Sequence, residues 1–264
     1  MSWHVVERNG AQLRGMDSGQ GPAVIFQHGL GGDEAQIGEI FPANGYRRLT
    51  LECRGQGRSE PGDPAYFSIA NFADDVLAFA DARQIDGFVI GGISMDAAIA
   101  LRIAIKQPKR VKALVLARPA WTVAVAPETM QVIAKAAPFI ANGDRAGFEN
   151  SNDAQMLKIH GPDNLASLLN NFVKPDLTMT SKLLAAIATD GPRVTEDEVR
   201  AIKVPTLIIG NAQDYIHPMA HAEWLAARIA DAKLVEITPK AANKARYFEE
   251  FTSALAAFLS EQEL

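Results

Sequence analysis

The alternation of short apolar runs with helical patterns is the feature that most constrains the fold of this chain. Nearly continuous apolar runs occur at residues 23–27, 48–52, 87–91, 112–117, 205–209 and 233–238. Strands covered on both faces have this composition, because neither face needs polar side chains. Between the runs, apolar residues recur at helical spacing, as in Ile69, Phe72 and Val76. The alternation predicts an α/β fold, with a mostly parallel sheet and helices on both faces.

The amino-terminal residues predict a different start to the sheet. Asn9 and Gly10 separate two strand-like segments at residues 3–8 and 11–17. This pair tolerates positive φ at both central positions of a tight type I′ turn. We therefore expect an antiparallel hairpin before the parallel part.

Residues 118–203 interrupt the alternation. They hold no clear strand, only Ala-, Leu- and Met-rich helical stretches broken by Pro and Gly. Because a structureless loop of this length is not expected in a compact domain, we predict a helical cap at 118–203 and a core at 1–117 and 204–264. Apolar cap residues such as Trp121 are candidates either for lining a substrate chamber or for the cap's own core.

Composition excludes several classes of function. The 264 residues include 26 Lys and Arg against 31 Asp and Glu, a net charge of −5, with no basic stripe for nucleic acid. The single cysteine, Cys53, excludes an internal disulfide and a cysteine-based zinc cage, and favours a reducing compartment. No signal-peptide pattern and no membrane-length apolar segment is found, so we expect a soluble, cytoplasmic protein.

A candidate nucleophile lies between an apolar run and a buried helical pattern. The segment Gly91-Gly92-Ile93-Ser94-Met95 is close to the G-x-S-x-G pattern, in which a strained turn exposes a serine hydroxyl at the end of a strand. In that geometry the Met95 N–H faces the oxygen of a reacting carbonyl. The alternative is a serine that caps the helix.

A second glycine-rich loop follows the run at residues 23–27. It reads His28-Gly29-Leu30-Gly31-Gly32, so the Leu30 N–H is a candidate for a second oxyanion donor, with His28 bracing the loop. The alternative, a phosphate-binding loop, fails because neither G-x-G-x-x-G nor a Gly-Lys pair is present.

With these features the chain resembles the α/β-hydrolase superfamily over essentially its whole length. The landmarks are the His28-Gly29 loop, the turn at residues 52–59 (D-x-R-G-x-G-x-S with Glu52 for Asp), the Ser94 elbow, and the segment at 210–218. The resemblance implies an eight-stranded, mostly parallel sheet with a cap inserted after the sixth strand. It also implies that Asp214 is the acid of a catalytic triad. In isolation, Asp214 is equally typical of a turn before a helix.

Two departures from the family pattern affect the catalytic residues. The last glycine of the elbow is Asp96, whose charge would oppose an oxyanion unless the carboxylate only caps the helix. The family's base, a histidine after the last strand, is absent, and Asn243, Lys240 and Tyr247 are the candidates for its neighbourhood. Since asparagine cannot accept a proton, the serine lacks an obvious base.

His217 is the first candidate for a replacement base. It follows Asp214 by three residues, and this short separation argues against Asp214 orienting it as the third member of a relay. The alternative for His217 is an exposed loop histidine. Lys240 would need desolvation to act as a base. A zinc site at His217 and His221 lacks the H-E-x-x-H glutamate, so we expect no metal.

The sequence supports two classes of function. The first is a hydrolase of a small ester, lactone or related carbonyl compound, with Ser94 as nucleophile, Leu30 and Met95 as oxyanion donors and His28, Gly29, Asp96, Trp121 and Asn243 near the site. It implies a small-molecule substrate, no cofactor, and neither nucleic-acid nor membrane partners. The second is a degenerate hydrolase that only binds a small ligand or a partner, or an inactive variant of an active relative.

Overall fold

A computed structural model describes residues 1–42 and 44–262 of the chain. Eight strands form one sheet in the order β1-β2-β4-β3-β5-β6-β7-β8. The strands are β1 Ser2–Arg8, β2 Ala11–Gly19, β3 Ala23–Gln27, β4 Arg47–Leu51, β5 Phe88–Ile93, β6 Val111–Ala117, β7 Thr206–Gly210 and β8 Ala232–Glu236. Only the β1–β2 and β2–β4 pairs are antiparallel. The predicted fold class is confirmed.

Eleven α-helices belong to the described residues. They are α1 Glu34–Ile40, α2 Ile69–Ala82, α3 Met95–Lys106, α4 Gln131–Ala141, α5 Arg145–Glu149, α6 Asn152–His160, α7 Pro162–Leu169, α8 Leu177–Ala188, α9 Glu196–Arg200, α10 Met219–Ala226 and α11 Lys244–Ser260. No helix among them combines the length and the apolar character needed to cross a lipid bilayer.

The hairpin that opens the sheet has the backbone that its sequence predicts. Asn9 and Gly10 both have positive φ, 48° and 72°. The two strands pair in antiparallel register, with Arg8 opposite Ala11. The Asn-Gly pair therefore sets the register of the amino-terminal edge.

Strands β3 to β7 are buried on both faces, which explains their continuous apolar composition. Val24 and Phe26 pack into the cluster that includes α1 and α11, whereas Ile25 packs into the cluster that includes α2 and α3. Successive side chains of a strand point to opposite faces, so both faces must be apolar when helices cover both. Because β3, β5, β6 and β7 pair in parallel, their carboxyl ends lie together at one edge of the sheet, where their loops meet.

The segment between β6 and β7 is helical, with α4 to α9 and no strand among its described residues. Helices α4 and α8 pack closely against each other, and α9 contacts α3 of the sheet layer. Lys106 of α3 pairs with Glu198 of α9 at 2.7 Å. The division into a core and a cap domain at residues 118 and 203 stays a prediction.

Candidate active site

Ser94 lies on a sharp turn between β5 and α3. Its backbone has φ 59° and ψ −112°, a conformation that non-glycine residues rarely adopt. The turn is held by the Ser94 N–H, which donates to the Ala117 carbonyl at 2.9 Å. Gly92 is needed here because a Cβ at this position would lie 2.7 Å from the Cβ of Asp96. The Ser94 hydroxyl makes no capping bond to α3, so the helix-cap interpretation is wrong.

The Ser94 hydroxyl is hydrogen-bonded to a histidine ring. Its Oγ lies 2.7 Å from His217 Nε2. On the other side of the ring, Nδ1 lies 2.7 Å from Asp214 Oδ1. With the proton on Nδ1, the ring donates to the carboxylate and leaves the Nε2 lone pair facing the hydroxyl. Serine, imidazole and carboxylate are thereby joined in the order used by serine hydrolases.

His217 is buried, not an exposed loop histidine, and its close spacing to Asp214 is what orients it. The backbone N–H of His217 also donates to Asp214 Oδ1, at 3.2 Å. The chain therefore folds back over the Asp214 carboxylate within three residues, and this places the His217 ring beside the same carboxylate. The expectation that this separation would prevent Asp214 from orienting His217 is wrong.

Asp214 receives hydrogen bonds from two further parts of the chain. Arg118, just after β6, contacts Oδ2 through Nε at 2.7 Å and through Nη2 at 2.6 Å. Asn164 of α7 donates to Oδ1 at 2.8 Å. Burial raises the pKa of the Asp214 carboxyl, but Arg118 and His217 outweigh burial, so this pKa lies well below its ordinary value. The carboxylate is therefore held in its charged form.

The environment of His217 favours a neutral ring. Burial lowers the pKa of the imidazole, Asp214 raises it, and Arg118 lowers it again, with a net shift downward. A neutral imidazole is the form that can accept a proton from the Ser94 hydroxyl. The site therefore combines a hydrogen-bonded hydroxyl with a ring able to act as a base near neutral pH.

The loop after β3 is fixed by two glutamine side chains. The Gly29 N–H donates to Gln36 Oε1 at 2.8 Å, and the Gly31 N–H donates to Gln56 Oε1 at 2.6 Å. Within the described part of the chain, the Leu30 N–H between them has no hydrogen-bond partner. The Met95 N–H, in the first turn of α3, has none either. Neither amide is therefore satisfied by an acceptor among the described residues.

A cavity of about 80 Å³ lies beside Ser94 and His217. Its apolar wall comes from Ile93 at the end of β5, from the inserted helices and from the loop before His217. The other residues of this wall are Ile133, Leu168, Leu184 and Ile216. Gly29 and Leu30 form the side of the cavity that carries the available amide. A small compound in this cavity would lie against both Ser94 and Leu30.

Three residues that were expected to line the site lie elsewhere. Trp121 is buried in the core, and its indole N–H donates to the Asp190 carbonyl at 2.9 Å. Asn243 is exposed and caps α11, accepting from the Arg246 N–H at 3.0 Å. His28 is fully buried and braces the loop, with Nδ1 2.9 Å from the Gly29 carbonyl oxygen. The side chains of Trp121, Asn243 and His28 do not line the cavity beside Ser94.

Asp96 also faces away from the cavity, and it does not cap α3. Its carboxyl is fully buried and accepts a weak hydrogen bond from the Cys53 thiol, with Sγ 3.4 Å from Oδ1. Burial raises the pKa of Asp96 well above its ordinary value, which favours the neutral form. Its expected position in the site is wrong. The alternative, a capping carboxylate turned away from the pocket, is right about the direction of the side chain, but neither carboxyl oxygen accepts from an N–H of α3.

Some contacts of the site were missed by sequence reasoning. Arg118 forms an ion pair with Asp214 that the family pattern does not mark. Asn164, Gln36 and Gln56 carried no motif of their own. Only Gln56, inside the family-like turn at residues 52–59, stood where the sequence pointed to function. The part of the chain that the structure describes holds no group of three or more His, Cys, Asp or Glu side chains suited to a metal ion.

The sheet order, the elbow after β5 and the inserted helices together define an α/β hydrolase. Residues 21–242 match the family described as serine aminopeptidase S33, and the chain belongs to this family.

Individual relatives cover nearly the full chain. The AB hydrolase superfamily protein YisY of Bacillus subtilis is 30% identical over 242 residues, covering 83% of this chain and 84% of that protein. Pyrrolizixenacetamide deacetylase of Xenorhabdus hominickii is 24% identical and covers 96% of this chain and 97% of that protein. The enol-lactonase of Burkholderia xenovorans has a TM-score of 0.74 at 25% identity, over 98% of this chain and 100% of that chain. The family and these relatives support an enzyme of the hydrolase class.

Proposed function

We propose that this protein hydrolyses small esters, lactones or related carbonyl compounds by covalent serine catalysis. The single observation that carries the proposal is the hydrogen-bond chain from Ser94 Oγ through His217 to Asp214, with both links at 2.7 Å. Heavy-atom distances of about 2.6 to 3.2 Å are typical of a working nucleophile and base. His217 thereby supplies the base that is missing after β8.

In the first half of the reaction, Ser94 is acylated. His217 Nε2 takes the hydroxyl proton while Oγ bonds to the substrate's carbonyl carbon. The N–H groups of Leu30 and Met95 donate to the developing oxyanion, and each such donor contributes roughly 3 kcal/mol in the transition state. The bond to the leaving oxygen or nitrogen then breaks, and His217 delivers its proton to that atom.

In the second half, water releases the acyl group. His217 takes a proton from water while the water oxygen bonds to the acyl carbon. The bond from that carbon to Ser94 Oγ breaks, and the proton on His217 returns to Oγ. Asp214 remains charged throughout, because Arg118 and Asn164 keep it hydrogen-bonded. Its charge stabilises the imidazolium formed in each half.

Both arguments for the alternative, a degenerate hydrolase that only binds a ligand or a partner, no longer apply. It rested on the absence of a base and on a charge at Asp96 beside the oxyanion site. His217 is within hydrogen-bond distance of Ser94, and Asp96 lies outside the cavity. These observations favour catalysis.

A fluorophosphonate probe with intact-mass detection tests the proposal. We expect one adduct on the wild-type chain and on a Ser253→Ala control, which alters an exposed serine of α11. Ser94→Ala should carry none. An unlabelled wild-type chain, under conditions that label an ordinary serine hydrolase, would refute the activated serine.

A further inference from the structure

The Leu30 N–H belongs to a peptide group that lies beside the nucleophile. This group, the Leu30 peptide, consists of the Gly29 carbonyl and the Leu30 N–H. A Cβ placed on Gly29 would lie 3.6 Å from the Cβ of Ser94, and Gly29, Leu30 and Ser94 line the same cavity. Because a trans peptide group is planar, its carbonyl and its N–H point in opposite directions. The contacts of the Gly29 carbonyl therefore set the direction of the Leu30 N–H.

Two hydrogen bonds hold the Gly29 carbonyl. The Gly32 N–H donates to its oxygen at 2.9 Å, and His28 Nδ1 lies 2.9 Å from the same atom. The Cys53 N–H donates to His28 Nε2 at 3.2 Å, so the ring carries its proton on Nδ1 and donates through it. One of the two donors is thus a second peptide group, the Gly32 peptide, which consists of the Gly31 carbonyl and the Gly32 N–H.

The Gly32 peptide is held by a lysine from the inserted segment. Lys174 Nζ donates to the Gly31 carbonyl at 2.9 Å, and the salt bridges among the described residues do not include Lys174. A hydrogen bond from an ammonium is roughly twice as strong as one between neutral groups. Lys174 follows the 3₁₀ helix Asn170–Val173 and precedes Pro175, which restricts its backbone to the extended conformation observed, with φ −69° and ψ 149°. Its side chain therefore starts from a backbone of restricted conformation.

These contacts form one continuous chain of hydrogen bonds from Lys174 to Leu30. The ammonium donates to the carbonyl of the Gly32 peptide, and the N–H of that peptide donates to the carbonyl of the Leu30 peptide. The Leu30 N–H is the free end, since it has no acceptor among the described residues. Each bond in such a chain polarises the next, so a donor at the end is strengthened by the charge at the start.

We propose that Lys174 is a positioning residue for the hydrolysis, which orients the Leu30 N–H through two peptide groups and strengthens its donation to the oxyanion. This inference rests on the proposed serine chemistry. Lys174 does not line the cavity beside Ser94, so it acts through the loop and not on the substrate. Full negative charge on the substrate oxygen develops only in the tetrahedral states, so Lys174 should support kcat and leave substrate binding unchanged.

Two substitutions of Lys174 separate its donor from its bulk. Lys174→Met removes the ammonium at nearly constant length, and Lys174→Arg keeps a charged donor. With p-nitrophenyl acetate, we expect kcat to fall about tenfold in Lys174→Met and KM to stay within about twofold of wild type. This loss is smaller than the roughly 10² to 10³ expected when an oxyanion donor itself is removed. Lys174→Arg should recover most of the loss, and Lys182→Met, which alters an exposed lysine of α8, should keep the wild-type kcat.

The inhibitor 1,1,1-trifluoropropan-2-one gives a readout that a merely structural role would not move. Its carbonyl carbon bonds to Ser94 Oγ while His217 takes the hydroxyl proton, and the ketone oxygen becomes a stable oxyanion. We expect its inhibition constant Ki to rise about tenfold in Lys174→Met, in parallel with the fall in kcat/KM. Lys182→Met should keep the wild-type Ki, and circular-dichroism spectra should match in all variants.

The outcomes distinguish this inference from the proposed function. An unchanged kcat in Lys174→Met, with the wild-type chain labelled by fluorophosphonate, would overturn the inference alone. A fall in kcat with an unchanged Ki would overturn it as well, because the loss would then not arise at the oxyanion. Absence of labelling in the wild-type chain would instead overturn the proposed function.

Discussion

Two loops at the carboxyl edge of the sheet differ in what they contribute to the site. The loop after β7 carries both Asp214 and His217, buried and hydrogen-bonded to each other. The loop after β8, where the family resemblance implies a histidine, ends in Asn243, which is exposed and caps α11. The comparison indicates that an imidazole can reach the elbow from the loop of its own acid. Geometry at the serine, and not position in the chain, decides which residue can serve.

Removing the imidazole from the loop after β7 should produce the largest loss of activity. His217→Gln should lower kcat by on the order of 10⁶, as expected when the base of such a unit is lost. Asn243→Gln should leave kcat within about twofold, because its side chain does not line the cavity. Ester turnover with matched circular-dichroism spectra checks both. A large loss in Asn243→Gln alone would reverse the assignment of the two loops.

Asp214→Asn probes the acid within the loop after β7 and should have the next largest effect. The amide of an asparagine can donate to Nδ1 of His217 and so stabilise the tautomer that carries its proton on Nε2, which cannot accept a proton from Ser94. In serine proteases such a change costs on the order of 10⁴ in kcat. The measurement is single-turnover acylation. An activity within tenfold of wild type would show that His217 does not depend on Asp214.

Arg118→Gln should change the pH profile more than the maximal rate. Arg118 lowers the pKa of His217, so its removal should raise that pKa. Because His217 must be neutral to accept a proton, activity rises with pH through its pKa, and the acidic limb should move to higher pH. The kcat/KM profile measures this shift, and Arg145→Gln on the surface of α5 is the control. A limb displaced to lower pH would contradict the electrostatic assignment.

The smallest effect should come from the cap of α11. Asn243→Ala removes the acceptor for the Arg246 N–H and should destabilise the protein by about 1 kcal/mol. Asn243→Ser supplies another capping oxygen and should recover most of that loss. Urea unfolding measures the stability. If Asn243→Ala left stability unchanged but removed activity, the loop after β8 would belong to the site.

The regular part of the fold could be predicted from local patterns. The six apolar runs lie within two residues of strands β3 to β8 at either end. For β3 to β7, burial on both faces imposes a composition that a short window reveals. The elbow was also predicted from a local pattern, the G-x-S-x-G-like segment, and the structure explains its glycine by the close approach of Gly92 to Asp96.

The contacts within the site could not be read in the same way. Asn164 and Arg118 meet Asp214 from chain segments that no periodicity connects. Trp121 was expected near the site as an apolar residue of the cap, and Asn243 because it follows the last strand. The direction of each side chain depends on packing that the sequence does not display. His217 was named as a candidate base, and its contact with Ser94 required the fold of its loop to be known.

Chemical rescue tests the central claim, that His217 is the base for Ser94, most directly. In His217→Gly, labelling of Ser94 by a fluorophosphonate should fall sharply, and added imidazole should restore part of the rate by entering the vacated space. Asn243→Gly should label at the wild-type rate with or without imidazole. Labelling of His217→Gly at the wild-type rate in buffer alone would contradict the claim.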